Sequence, residues 1–150
     1  MLGEALAAYA HYLSILVTGC ILAGELFLYR RELTVEQARR LMRLDIAYPV
    51  GALCILASGL ARLLWFAKGP EFYLPNPVFW IKMALFAFIA LLSIPPTVHY
   101  LRWRPDVKAG RAPTIAPKAY RHVHMHLGLE MALFLLMPLL AALMARGIGR

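Results

Sequence analysis

The sequence predicts an all-α integral membrane protein, a four-helix up-and-down bundle with both termini outside. Three observations predict it. The chain is 61% hydrophobic and only 16% charged, with mean hydropathy +0.64, whereas a soluble domain is about one quarter charged. Four apolar stretches each approach the roughly 20 residues that cross a bilayer core. Lysine and arginine gather in two of the three loops. A chain of 150 residues cannot bury so much apolar surface in a core of its own, so lipid must cover it. This excludes an ordinary soluble enzyme, a secreted disulfide scaffold and a disordered tail. The net charge of +8 does not imply nucleic acid, because the basic residues sit in short runs between apolar segments. Cys20 and Cys54 lie inside apolar runs and read as small core residues.

The chain reads as one transmembrane domain, residues 1–150, with spans at about 5–29, 46–67, 78–101 and 127–145. Span one has no charge between Glu4 and Glu25. Span two is interrupted only by Arg62, span three carries Lys82 near its start, and span four carries Glu130 near its start. Local signals set the ends. Asn76-Pro77 supplies a cap and a first-turn proline for the third helix. Residues 34–37, Thr-Val-Glu-Gln, have capping-box form, so a helix starts in the first loop and runs on into span two. Ala116-Pro117 starts a helix ahead of span four. Pro95-Pro96 should bend or end the third helix early, and Pro138 should kink the fourth.

Orientation follows from counting basic residues. Loop one carries Arg30, Arg31, Arg39, Arg40 and Arg43. Loop three carries Arg102, Arg104, Lys108, Arg111, Lys118 and Arg121, whereas loop two has only Lys68. Positive loops stay cytoplasmic, which puts both termini outside. In a bacterium this is an inner-membrane protein with periplasmic termini. The tryptophans and tyrosines near span ends (Tyr29, Trp65, Tyr73, Trp80, Tyr100, Trp103) read as interfacial belt residues.

Ionisable residues inside spans are costly and mark sites. Glu4, His11, Arg62 and Lys82 fall on the outer side. Glu25, Asp45, His99, His126 and Glu130 fall on the inner side. In span one, Glu4, His11, Thr18 and Glu25 are seven apart, with Ser14 between them, so one helix face is polar from end to end. Span two carries a narrow stripe of Gly51, Cys54, Ser58 and Arg62, which lets a helix or a flat ligand approach closely. Two inward cations beside one imidazole, without matching carboxylates, point to an anionic ligand. Haem b fits: His11 ligates the iron, Arg62 and Lys82 meet the propionates, and the apolar bundle holds the ring. The second axial position is Met144 or Met137, or the iron is five-coordinate. His99, His126 and Glu130 are weaker metal candidates on the inner side, and His122, His126 and Glu130 share one helix face at metal-ligand spacing. The bland readings are an interhelical hydrogen bond for His11, snorkelling for Arg62 and Lys82, and an interfacial position for His99.

The whole chain resembles a bacterial family of four-span predicted membrane proteins. The match rests on Ala10-His11, residues 38–41 (Ala-Arg-Arg-Leu), residues 65–69 (Trp-Phe-Ala-Lys-Gly), residues 76–82 (Asn-Pro-Val-Phe-Trp-Ile-Lys) and the ending 140–146 (Leu-Ala-Ala-Leu-Met-Ala-Arg). More distantly, the order of features resembles HemJ-type protoporphyrinogen oxidases, small haem-b membrane proteins. The corresponding positions are His11, Arg39-Arg40, Lys82, and Glu130 with Pro138. This chain departs from that pattern by offering only Glu130 where the family has more polar residues at the start of the last span. The resemblance therefore implies haem binding more than the oxidase activity. The function expected is electron transfer or oxidation of a small substrate such as a porphyrinogen, a quinone or superoxide. The rival class is a non-redox small transporter or a cofactor-free oligomeric membrane subunit. Small residues on spans one and two (Ala7, Ala8, Gly24, Gly51, Gly59) predict a homo-oligomer.

Overall fold

The computed structural model describes residues 1–149, and every element among them is helical. Helix α1 spans Leu2–Leu28, and α2 spans Val35–Ala61 and passes into a π-helical turn at Arg62–Phe66. A short α3, Pro70–Tyr73, precedes α4, Pro77–Leu92. Helix α5, Ile94–Leu101, continues the third span. A short α6, Arg104–Lys108, leads to α7, Pro117–Ala145. Four helical stretches are long and apolar enough to cross a membrane: Leu2–Leu28, Val35–Phe66, Pro77–Leu101 and Pro117–Ala145. No more than 17% of the apolar window in any of them is buried inside the protein, so most of their side chains need lipid around them.

The helix ends follow from the residues that stand there. At the start of α2 the Thr34 hydroxyl accepts from the Gln37 amide at 3.2 Å, and the Gln37 side chain accepts from the Thr34 amide at 2.9 Å. This capping box is worth about 1 kcal/mol and starts the helix well before its apolar run. Asn76 caps α4 by accepting from the Val78 amide at 2.9 Å. The third span breaks at Ser93 and resumes with Pro95 and Pro96 in the first turn of α5, where missing N–H groups cost least. Pro117 opens α7, and Pro138 lies inside it without ending it.

The bundle is built from two pairs. Helix α1 packs along α2, and α4 packs along α7. Contacts of α7 with α1, and of α5 with both α2 and α7, join the pairs, whereas α4 scarcely touches α1 or α2. The amino terminus, loop two and the carboxyl terminus share one end, tied by Lys68 Nζ donating to the Ala145 carbonyl at 3.2 Å and Asn76 Nδ2 to that of Ile148 at 3.1 Å. We call this the terminal end, and the other the basic-loop end. The core sits toward the basic-loop end, around Leu22, Tyr29, Leu41, Tyr100, Trp103, Val123 and Leu127.

Four expectations change here. Tyr29, Tyr100 and Trp103 are not belt residues: each is at most 5% exposed, and Tyr29 stacks between Trp103 and Tyr120. Such aromatic pairs contribute about 0.5–1.5 kcal/mol each beyond area burial, which draws the rings inward. Trp65 and Trp80 do face outward. Cys20 and Cys54 are exposed rather than in the core. His99 is not merely interfacial, since its Nε2 lies 3.1 Å from the Tyr29 hydroxyl. Finally, Gly24, Gly51 and Gly59 do not remain free for a second copy. They receive Leu44, Thr18 and His11 from within the chain.

Candidate functional site

The inward stripe of α1 is the backbone of the site. His11, Thr18, Leu22 and Glu25 are the buried residues of that helix, so the seven-residue spacing holds for its interior members. Glu4 alone swings out, 61% exposed and 3.3 Å from the terminal amine. Gly51 and Gly59 let α2 come close against this stripe. A side chain at Gly51 would collide with the Thr18 hydroxyl, and one at Gly59 would come within 3.2 Å of the His11 ring.

His11 is 8% exposed, and its Nδ1 lies 2.9 Å from Ser58 Oγ. Ser58 has one hydroxyl hydrogen, and it points back along α2 to the Cys54 carbonyl at 2.6 Å, with the Ile55 carbonyl at 3.1 Å. With that hydrogen on the Cys54 carbonyl, the oxygen is left to accept from Nδ1. This arrangement is the one in which the neutral ring keeps Nε2 unprotonated, the form that ligates a metal.

Two cations stand near this ring. Arg62 and Lys82 both act on His11, and on each other, electrostatically. The Arg62 guanidinium lies 5.1 Å from the Tyr12 ring centroid, at the start of the π turn. Such turns are frequent at functional sites. Among the described residues neither cation enters an ion pair. Lys82 is on α4, the helix that scarcely touches α1 and α2. His11, Arg62 and Lys82 thus act on one another across the seam between the two helix pairs. Met144 is buried at the terminal end of α7, and Met137, two turns deeper, is half-buried.

The inner candidates arrange themselves differently. His126 Nδ1 turns to the His122 carbonyl of its own helix at 2.9 Å, while Glu130 is 1% exposed. His99 binds Tyr29. Among the described residues, no three His, Cys, Asp or Glu side chains are placed to hold one metal ion, so the shared helix face of His122, His126 and Glu130 is not assembled into a three-ligand set. What the structure assembles instead is a carboxyl layer. Glu25, Asp45 and Glu130, from α1, α2 and α7, are each at most 7% exposed. Placing all three on the inner side from sequence was the available signal. Their convergence depends on the relative rotation of three helices, which spacing alone does not give.

The fold and these buried polar layers define an all-helical membrane protein with four possible spans. The chain belongs to the family described as Predicted membrane protein (DUF2214), whose model matches residues 3–149. No curated protein and no solved structure matches it.

Proposed function

We propose that the terminal-end cluster binds haem b and that the protein acts in electron transfer or in oxidation of a small substrate, such as a porphyrinogen, a quinone or superoxide. The observation that carries this reading is the contact of His11 Nδ1 with the Ser58 hydroxyl at 2.9 Å, which orients the ring and leaves Nε2 on its other side to ligate. Haem supplies one-electron chemistry when bound. The chain's own residues do the rest: His11 offers the axial nitrogen, Arg62 and Lys82 meet the propionate charges, and the apolar helices exclude water. The donor set fits the group in kind, with one imidazole and two cations that enter no ion pair among the described residues. Met144 or Met137 would fill the second axial position, or the iron is five-coordinate.

The same proposal places the chain in a bacterial inner membrane with periplasmic termini, since the basic residues gather at the opposite end. It also takes the functional unit to be a homo-oligomer. With the glycines engaged internally, that assembly would use the exposed apolar faces.

The test is the visible spectrum of the full-length protein, purified after expression with a haem precursor. A Soret band and a b-type pyridine haemochrome are expected, with His11→Ala losing most of the band. Lys82→Ala or Arg62→Ala should weaken retention without abolishing it. Absence of any Soret band removes the proposal.

A further inference from the structure

The carboxyl layer lies outside the cluster just described and stands on separate observations. Glu25 is 3% exposed, Asp45 7% and Glu130 1%. Glu25 interacts with both other carboxyls, and Glu130 with Asp45. Their polar neighbours are few. Thr97, on α5, donates to Asp45 Oδ1 at 2.6 Å. The Tyr48 phenol of α2 lies beside Glu130 without the alignment of a hydrogen bond. Glu25 Oε1 and both carboxyl oxygens of Glu130 have no hydrogen-bond partner among the described residues. A fourth group points the same way from a different helix. The Tyr100 hydroxyl of α5, on a side chain 1% exposed, also has no partner, and it interacts with all three carboxyls.

The charges do not balance from within. The groups acting on these carboxyls are carboxyl, phenol or hydroxyl, and none is basic. A buried carboxylate without a partner is strongly disfavoured, and like charges side by side make it worse. Positive charge must come from outside the chain. The side chains do not converge as a metal shell requires, whereas a proton needs only one oxygen.

The start of an access path lies at the basic-loop end. His99 lines a half-open cavity of about 350 Å³ with Arg102 and His122. Its Nε2 is 3.1 Å from the Tyr29 hydroxyl. The Tyr29 ring meets Tyr100 edge-on at 5.8 Å, but the Tyr100 hydroxyl has no hydrogen-bond partner among the described residues, so the last step from Tyr29 to the carboxyls needs a bridging water.

We propose that Glu25, Asp45 and Glu130 form a proton-binding site at the junction of α1, α2 and α7, filled from the basic-loop end by way of His99 and Tyr29. Each proton taken from solvent bonds to one carboxylate oxygen, removes one negative charge and creates a donor for a neighbouring bare oxygen. Buried ionisable groups of this kind form proton relays in membrane proteins. The site stands whether or not His11 binds haem.

The experiment is infrared spectroscopy of the full chain in lipid nanodiscs, with glutamate and aspartate carboxyls labelled with carbon-13. The folded wild type should show labelled carboxylic-acid carbonyl bands at neutral pH that exchange slowly in heavy water. Glu130→Gln and Asp45→Asn should each lose one such band. His99→Phe should slow the exchange of those that remain. Labelled wild type showing only ionised carboxylates at neutral pH overturns the proposal even if no variant folds. So does a shift of the carboxylate bands on adding sodium or magnesium at fixed pH, which would make the missing charge a metal ion. Exchange unchanged in folded His99→Phe overturns the route.

Discussion

Replacing Gly51 by alanine tests the closest approach in the bundle. A methyl group there would collide with Thr18 Oγ1 and lie 3.2 Å from Thr18 Cβ and 3.4 Å from Cγ2. Thr18 is 1% exposed, and its hydroxyl donates to the Ser14 carbonyl at 2.7 Å. It cannot swing aside without losing that bond, worth about 1 kcal/mol. Overpacking adds about 1–3 kcal/mol. Alanine returns about 1 kcal/mol through better helix propensity. The net loss is about 1–3 kcal/mol, a roughly fivefold or greater shift toward the unfolded state. Thr18→Ala removes Oγ1 and Cγ2, so the penalty of Gly51→Ala should shrink by about 1 kcal/mol or more in that background. The assay is a denaturing-detergent titration of purified protein, followed by helical circular dichroism, for the wild type, both single variants and the double variant. Gly51→Ala as stable as wild type, or an equal penalty with and without Thr18, would refute the reasoning.

Four further outcomes follow. Ser58→Ala should weaken the proposed haem band less than His11→Ala, because it frees the ring without removing the ligand; equal loss in the two would be read in the visible spectrum and would contradict the orienting role. Tyr29→Ala should cost about 3–5 kcal/mol and Tyr29→Phe about 1 kcal/mol for the bond to His99, a difference that thermal melting in detergent resolves. A periplasm-active reporter fused after Arg150 should be active; activity from a cytoplasmic reporter alone would reverse the proposed orientation. Native mass spectrometry in mild detergent should give an oligomer, and a monomer across several detergents would count against it.

The four spans were legible because lipid rewards apolar length, a property that needs no knowledge of neighbours. The caps at Thr34, Asn76 and Pro117 were legible because they act within a few residues. The stripe of α1 was legible for the same reason: His11, Thr18 and Glu25 share a face by helix geometry alone. Contacts between helices were less so. Ser58 lies on the stripe read for span two, yet its bond to His11 joins residues 47 apart, and no local pattern marks that pairing. Tyr29, Tyr100 and Trp103 look like belt residues one by one. Only the return of the chain through α5 and α6 stacks them into a core. The π turn at Arg62 carries no distinctive sequence sign.

The helix lengths reported above bear on how the protein sits in lipid. The stretch Val35–Phe66 has 32 residues and Pro117–Ala145 has 29, or about 48 Å and 43 Å at the α-helical rise. The third span has 25 residues, about 38 Å by the same rise. A hydrocarbon layer of about 30 Å cannot match all of them. The excess falls at the start of α2, which bears Arg39, Arg40 and Arg43 on its exposed face while Ala38 and Leu41 pack into the core. Asp45 falls near the base of that excess, at the hydrocarbon boundary rather than at the midplane. Bilayer thickness thus becomes a variable of the carboxyl layer. A thicker membrane draws that base into hydrocarbon, and a thinner one lifts it toward the headgroups, at a cost of fractions of a kcal/mol per ångström of mismatch.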